Sequence, residues 1–254
     1  MNNPILEVKN LGIDFGGLTA VNNLNLYVGE NEIVGLIGPN GAGKTTVFNM
    51  LTKFNDPSRG TIILDGEEIN KLSTTEVNKK GIARTFQNIR LFNELSVIDN
   101  VKTAMNNDFD YSVVDTLLHT HKIRNAEKQI EEKAMELLEI FDLHNSAEIK
   151  AGSLPYGAQR KLEIARALAT NPKILLLDEP AAGMNPQETE ELMKTIRFVK
   201  EKFNISILLI EHDMNLVMNI CERIYVLNYG MLLAKGSPED IKNNPDVIKA
   251  YLGD

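Results

Sequence analysis

The sequence predicts an α/β fold with a mainly parallel sheet, and its apolar runs carry that prediction. One apolar run, 32–37, leads directly into a glycine-rich loop, and others follow at 173–178, 206–211 and 223–227. Helical segments separate the later runs. Continuous apolar strands that alternate with helices are typical of a parallel sheet covered on both faces.

The first part of the chain instead predicts short strands of an antiparallel sheet. Residues 5–11 alternate between apolar and polar, residues 24–28 do so more weakly, and residues 61–64 lie between two glycines. Alternation with a period of two is typical of a strand with one buried face.

The loop at 38–46 reads GPNGAGKTT and matches the phosphate-binding pattern G-x-x-x-x-G-K-[ST]. Its glycines let backbone N–H groups surround an anion closely, and the helix expected over 44–51 points its positive dipole end at that anion. We expect Lys44 to reach the β- and γ-phosphates of a nucleoside triphosphate and the Thr45 hydroxyl to bind Mg²⁺. Phe15, in the turn expected after the first strand, can stack on adenine, although an aromatic residue in such a region also commonly packs in a core.

Residues 93–146 have a helical pattern. Five apolar positions follow the spacing of one helix face, namely Ile130, Ala134, Leu137, Leu138 and Phe141. Charged residues fill the other face, and they are typical of a solvated surface with i,i+4 pairs. Further along, Asn185 and Ser237 each precede a proline and have an acidic residue three positions later, which predicts two helix N-caps.

Polar residues end two of the later apolar runs. Asp178 and Glu179 follow 173–177, and carboxylates at the end of a buried strand require a cation or proton nearby. Mg²⁺ supplies that cation: Asp178 is expected to hold it, and Glu179 to orient the attacking water. His212 follows 206–211 and can sense a γ-phosphate at the same edge of the sheet. The amide of Gln87, just before the helical region, can touch Mg²⁺ or its water.

The composition limits the possible partners. The 254 residues have a net charge of -8, a hydrophobic fraction of 43% and one cysteine, Cys221. The acidic balance argues against nucleic acid as the main partner, and a single cysteine excludes an intramolecular disulfide. No apolar segment approaches the roughly 18 residues of a membrane span, and the N-terminal residues lack the features of a signal peptide. We therefore expect any role at a membrane to be exercised from the cytoplasmic face, through other subunits.

Together these residues resemble the nucleotide-binding subunits of ABC transporters over nearly the whole chain. In that resemblance the 38–46 loop is Walker A, Gln87 is the Q-loop, Asp178 and Glu179 form Walker B, His212 is the switch histidine and Phe15 is the adenine-stacking aromatic. The family signature falls at 154–158, with the residues Leu154, Pro155, Tyr156, Gly157 and Ala158. The strings FGGLTAVNNL, GIARTFQNIRLF, LDEPAAGMNP, EHDMNLVM and NPDVIKAYLG further resemble ATPases of branched-chain amino acid importers, the LivG type.

The resemblance implies a single ABC nucleotide-binding domain. It has a P-loop NTPase core with an N-terminal antiparallel β subdomain, over 1–90 and 160–254, and an inserted α-helical subdomain that carries the signature, over 91–159. The implied cofactors are ATP and Mg²⁺. The expected site residues are the catalytic Lys44, Glu179 and His212, the metal-binding Thr45, Gln87 and Asp178, and the nucleotide-binding Phe15, Gly38, Pro39, Asn40, Gly41, Ala42, Gly43, Lys44, Thr45, Thr46 and Gln87.

The resemblance also implies partners. Two nucleotide-binding subunits, identical or related, close head to tail so that the signature of one meets the nucleotide of the other. They work with two transmembrane permease subunits at the cytoplasmic face of the cell membrane and, indirectly, with an extracytoplasmic substrate-binding protein. The chain departs from the general signature at Pro155, where Ser is usual, and at Ala158, where Gln is usual. It also departs from the family's D-loop at Asn185, where Asp is common; for Asn185 both the capping role and a role across the dimer interface stay open. Two other functions stay open here: a non-transport ABC switch, and an ATP-binding subunit with low turnover.

Overall fold

The computed structural model describes residues 4–105 and 121–252, without the side chains of residues 121–124 and 252. Its Cα packing divides the chain into two compact units, one formed by Met1–Gln87 with Lys173–Asp254 and the other by Asn88–Pro172. Among the helices of the described residues, none has both the length and the apolar character needed to cross a membrane.

The first unit contains ten described strands in two sheets. In chain order they are β1 Leu6–Phe15, β2 Leu18–Val28, β3 Ile33–Ile37, β4 Arg59–Leu64, β5 Glu67–Glu68, β6 Ile82–Arg84, β7 Ile174–Asp178, β8 Ser206–Ile210, β9 Arg223–Asn228 and β10 Met231–Gly236. Its helices are α1 Lys44–Leu51, α2 Thr74–Lys80, α6 Pro186–Phe203, α7 Met214–Ile220, α8 Pro238–Lys242 and α9 Pro245–Leu252. The α/β fold predicted from the sequence is confirmed.

The six-stranded sheet has the order β10-β9-β3-β8-β7-β6. Every neighbouring pair in it is parallel except β9 with β10. All residues of β3, β7 and β8 are buried, as expected for strands covered on both faces. The carboxyl ends of these parallel strands meet at one edge, which is where open α/β sheets bind ligands.

The four-stranded sheet, β2-β1-β4-β5, is antiparallel throughout. Phe15 pairs with Leu18, so it is the last residue of β1 and not part of the turn in which the sequence placed it. The turn consists of Gly16 and Gly17 alone, both with positive φ. A two-residue hairpin turn with positive φ at both positions matches the twist of the strands, and this lengthens β1 up to Phe15.

The second unit is helical. Its described helices are α3 Val97–Met105, α4 His121–Ile140 and α5 Tyr156–Leu168, with short 3₁₀ helices at His144–Ser146 and Ala151–Ser153. The five apolar positions predicted to share a face of α4 and its end are all buried, and the charged face is exposed with a Lys128–Glu132 pair at 3.7 Å. The expected subdomain boundary after residue 159 falls within α5, a helix that contacts both α3 and α4 in this unit.

Candidate nucleotide-binding and active site

The glycine-rich loop connects the carboxyl end of β3 to the start of α1. Gly38 and Gly43 have φ values of 151° and 102°. A Cβ atom at Gly38 would lie 2.1 Å from the carbonyl oxygen of Leu227, and one at Gly43 would lie 2.9 Å from that of Ala20. Side chains cannot occupy either position without moving backbone, so both glycines are required for the loop to pack where it does.

Lys44 is the first residue of α1, and its ammonium group folds back over the loop. The Nζ atom donates hydrogen bonds to the carbonyl oxygens of Gly38, at 2.6 Å, and Pro39, at 3.0 Å. Burial lowers the pKa of Lys44, while the carboxylates of Glu179 and Asp178 act in the opposite direction. The cation is therefore held at the loop that the sequence predicts to bind phosphate.

Glu179 follows β7 with φ at +49°, a left-handed conformation that ends the strand. Its backbone N–H donates to the carbonyl oxygen of Ile210, at 2.9 Å. The side chain of Gln87 donates from Nε2 to one carboxylate oxygen, at 2.9 Å, and Nε2 of His212 lies 2.8 Å from the other. Three side chains that the sequence proposed separately are thus brought together from the ends of three strands.

Glu211 is a further member of this site that sequence reasoning missed. Its buried carboxylate accepts hydrogen bonds from the backbone N–H groups of Ala181, at 2.7 Å, and His212, at 3.0 Å. Burial raises the pKa of Glu211, and these backbone hydrogen bonds oppose the rise. One carboxylate therefore links the segment after Glu179 to the segment that carries His212. The available signal was a glutamate directly after an apolar strand, next to the histidine that the sequence predicts at this edge.

Asp178, the last residue of β7, is buried, with 1% of its surface exposed. Its Oδ2 atom forms an ion pair with Nη2 of Arg84 at 2.7 Å. The cation next to Asp178 in this structure is therefore an arginine, which the sequence did not predict. Arg84 lies in the GIARTFQ string, where a charge within an otherwise apolar three-residue strand was a usable signal.

A cleft of about 520 Å³ opens at this edge of the first unit. The predicted residues from Asn40 to Thr46 line it together with Gln87, Glu179 and His212. Gly38, Pro39 and Asp178 lie outside the lining, as does Phe15, which is 47% exposed at the end of β1. Sequence reasoning missed Leu18–Ala20 and Tyr229–Gly230, which also line the cleft.

The C-terminal segment also reaches the phosphate loop. Partial burial raises the pKa of the Tyr251 phenol, on α9, and the nearby backbone N–H of Gly38 acts to lower it. Residues of α9 and of the loop, among them Asp246 and Asn40, line a second groove of about 470 Å³.

The signature residues lie in the second unit, at the start of α5. Pro155 is the N-cap of this helix and provides no side-chain hydrogen bond to it. Leu154 is buried, while Tyr156 is 47% exposed. Gln159, directly after Ala158, donates from Nε2 to the carbonyl oxygen of Leu154 at 2.9 Å.

The fold and the cleft define a P-loop nucleotide hydrolase. Residues 21–182 match the family model described as "ABC transporter", and residues 231–254 match one described as "Branched-chain amino acid ATP-binding cassette transporter". The chain therefore belongs to the ABC transporter family of ATP-binding proteins, and it is an ABC-type ATPase.

Individual relatives are similar over their full length. The chain is 51% identical to the high-affinity branched-chain amino acid transport ATP-binding protein BraF of Pseudomonas aeruginosa, and 50% identical to the corresponding protein LivG of Escherichia coli. Both alignments cover 100% of each chain.

Two solved structures are informative. The ADP conformation of MJ1267, an ATP-binding cassette of an ABC transporter, has a TM-score of 0.86 and 30% identity and covers 100% of each chain. The dimeric post-hydrolysis state of the ATP-binding cassette MJ0796, bound to ADP and Pi, has a TM-score of 0.77 and 26% identity, covering 92% of this chain and 98% of that one.

Proposed function

We propose that this chain binds and hydrolyses Mg²⁺-ATP to energise the uptake of branched-chain amino acids. The carrying observation is that Glu179 is held at the phosphate-loop cleft with both carboxylate oxygens engaged, one by Gln87 and one by His212. A carboxylate oriented in this way is suited to accept a proton from an attacking water. The amino acid specificity is supported by the full-length similarity to BraF and LivG and by the match of residues 231–254.

The residues at the sheet edge fit a magnesium ion. The Oδ1 atom of Asp178 is buried and has no hydrogen-bond partner among the described residues, a condition that an ion or its bound water would relieve. Thr45 is exposed at the cleft, and its hydroxyl is a suitable oxygen ligand. Asp178, Thr45 and Gln87 would hold the ion, which when bound would neutralise phosphate charge.

The chain's own residues perform the remaining steps. Lys44 exchanges its bonds to loop carbonyls for bonds to phosphate oxygens, which places positive charge where negative charge develops. Glu179 orients the attacking water and takes its proton. His212 fixes the Glu179 carboxylate and contacts the γ-phosphate. Leu18, Thr19 and Tyr229 are available for contact with the base and ribose, with Phe15 the alternative aromatic.

We propose that the working form is a dimer with a second ABC ATPase subunit, identical or related. The signature at Leu154–Ala158 would meet the nucleotide of the partner, and the pair would act on two permease subunits at the cytoplasmic face of the cell membrane. An extracytoplasmic binding protein would deliver the amino acid. The dimeric state of the similar cassette MJ0796 supports the pairing.

The test is to purify the intact membrane complex that contains this chain and to measure ATPase stimulation by a panel of amino acids. We expect leucine, isoleucine and valine, with the binding protein present, to stimulate hydrolysis, and lysine and glutamate to have no effect. The complex with Glu179→Gln is the matched control for background hydrolysis. Absence of stimulation by the three branched-chain amino acids would exclude the proposed substrate class. A wild-type rate equal to that of the control would indicate an ATP-binding subunit with low turnover.

A further inference from the structure

The buried ion pair of Arg84 and Asp178 belongs to a larger network. Nη2 of Arg84 donates to Oδ2 of Asp178 at 2.7 Å, and Nη1 donates to Oδ1 of Asn49 at 2.8 Å. The guanidinium carbon also lies 5.4 Å from the ring centre of Phe48 and 5.0 Å from that of Phe86. The side chain is only 5% exposed, so these contacts fix both its position and its plane.

This network connects three parts of the nucleotide site. Arg84 is the last residue of β6, Asp178 is the last residue of β7, and Asn49 lies in α1, the helix that begins at Lys44. Nη1 also reaches the hydroxyl of Thr52, just after α1, at 3.3 Å. The guanidinium group thus spans the gap between the acidic strand end and the phosphate-loop helix.

The two carboxylate oxygens of Asp178 have different environments. Oδ2 is occupied by Arg84, whereas Oδ1 is buried and without a hydrogen-bond partner among the described residues. Leaving a buried acceptor unsatisfied costs free energy, and charged acceptors cost more. A ligand that binds Oδ1 would explain why Arg84 binds Oδ2 alone.

We propose that Arg84 is a positioning residue for the divalent cation: it fixes Asp178 through Oδ2 so that Oδ1 is available to Mg²⁺ or to a water bound to it. The inference rests on the Mg²⁺-ATP site proposed above. Charge neutralisation alone does not account for the geometry, because a lysine would supply the same charge. The planar guanidinium fork binds Asn49 and Asp178 through two nitrogens whose separation is fixed, and so holds the carboxylate in a set relation to α1, whereas a lysine ammonium is a single rotatable donor group.

The experiment measures Mn²⁺ binding to the protein–ATP complex by electron paramagnetic resonance. All variants carry Glu179→Gln, so that ATP persists during the measurement. We expect Arg84→Lys to weaken Mn²⁺ binding about tenfold, the lower end of the effect of losing a residue that orients a metal ligand. ATP affinity measured in excess chelator should change by less than about twofold, because Arg84 acts on the cation and not on the phosphate loop directly.

The matched control is Arg223→Lys. Arg223 also pairs with a partly buried carboxylate, Glu32, and lies over an aromatic ring, 3.7 Å from the centre of Tyr27. Its carboxylate partner is not among the residues proposed to hold the ion, so its replacement should reduce stability and leave Mn²⁺ binding unchanged.

The outcomes separate the two proposals. If Arg84→Lys binds Mn²⁺ as tightly as its parent, Arg84 only stabilises the fold and the inference is wrong. If Arg84→Lys does not fold, Asn49→Ala decides: it removes one anchor of the guanidinium, and we expect Mn²⁺ binding to weaken about threefold, a fraction of the full effect. Unchanged binding in Asn49→Ala would overturn the inference. If the parent binds ATP without binding Mn²⁺, the proposed metal site itself is wrong.

Discussion

The Nε2 atom of His212 lies 2.8 Å from Oε1 of Glu179. Gln87 donates to Oε2 of the same carboxylate at 2.9 Å, so hydrogen bonds to both oxygens restrict rotation of the carboxylate group. Glu211 stabilises this arrangement, because its carboxylate accepts hydrogen bonds from the backbone N–H groups of both Ala181 and His212. The carboxylate that we propose as the general base is therefore oriented by side chains and backbone of the chain itself.

We predict that Glu179→Gln reduces ATP hydrolysis about 10²- to 10⁴-fold, the range associated with loss of a general base. The amide keeps the shape of the side chain and an oxygen for the hydrogen bond from Gln87, so the change removes the basic charge with little effect on geometry. ATP binding should persist. The measurement is the steady-state ATPase rate together with nucleotide affinity from a fluorescent analogue.

Glu190→Gln is the matched control for this substitution. Glu190 is an exposed residue of α6 that pairs with Lys194 at 2.8 Å. Glu190 lies outside the cleft, so the Glu190→Gln protein should hydrolyse ATP at the wild-type rate. A Glu179→Gln protein that hydrolyses ATP as fast as the Glu190→Gln protein would exclude Glu179 as the base.

Local sequence patterns predicted the parts of this site that depend on neighbours in the chain. The loop at 38–46, the helix start at Lys44 and the apolar strands that end at Asp178 and Ile210 each depend on residues within about ten positions. The caps predicted at Asn185 and Ser237 are also confirmed, each as a complete capping box. Such features follow from periodicity and turn chemistry, which a single sequence displays.

The contacts that orient the site could not be predicted in the same way. Arg84 and Asp178 are 94 positions apart, and Glu211 and Ala181 are 30 apart. These pairs depend on the order of β6, β7 and β8 in the sheet, and strand order is not encoded in any local pattern. Phe15 was placed in a turn for a related reason: the register with Leu18, which extends β1, is a property of the hairpin as a whole.

We predict that Glu211→Gln changes the pH dependence of stability. Burial raises the pKa of Glu211 in the folded protein, so the folded state favours the protonated carboxyl group. The stability that Glu211 contributes is then lost as the pH rises from the ordinary glutamate pKa of about 4.3 through the raised pKa. The free energy of unfolding of Glu211→Gln should therefore rise relative to that of wild type as the pH increases above the ordinary glutamate pKa.

The comparison is made by urea denaturation at each pH. Glu190→Gln provides a control of opposite sign, because Lys194 lowers the pKa of Glu190. The free energy of unfolding of Glu190→Gln should fall slightly relative to that of wild type as the pH rises through the acidic range. A constant difference between wild type and Glu211→Gln at every pH would contradict the prediction.

We predict that Asn185→Ala lowers the free energy of unfolding by about 1 kcal/mol, the usual cost of removing an N-cap side chain. The Oδ1 atom of Asn185 accepts hydrogen bonds from the N–H groups of Gln187 and Glu188, both at 3.0 Å. Asn185→Asp should keep this cap and the wild-type stability, since aspartate caps equally well.

Ser237→Ala is the control for this cap, because it removes the N-cap of α8 in the same unit. The two alanine variants should lose similar stability. If capping is the whole role of Asn185, both should also keep similar ATPase rates. A lower rate in Asn185→Ala alone would instead support a role across the dimer interface.

The last prediction concerns Pro155, the N-cap of the signature helix α5. The φ of -56° at this position suits proline, but its ring provides no hydrogen bond to the first helical turn. Pro155→Ser restores a backbone N–H and adds a hydroxyl that can cap the N–H groups near Gly157 and Ala158, for about 1 kcal/mol of helix stabilisation. The serine N–H and the serine hydroxyl are both donors that can bind a phosphate of the partner's nucleotide.

We therefore expect Pro155→Ser to strengthen ATP-dependent dimerisation, measured by sedimentation in the Glu179→Gln background so that the nucleotide is not consumed. Pro155→Ala is the matched control, because it restores the N–H without the hydroxyl. If the serine variant dimerises more strongly than the alanine variant, the hydroxyl contributes. If the two dimerise equally and both more strongly than wild type, the backbone N–H is sufficient. Unchanged dimerisation in both would show that Pro155 does not weaken the signature.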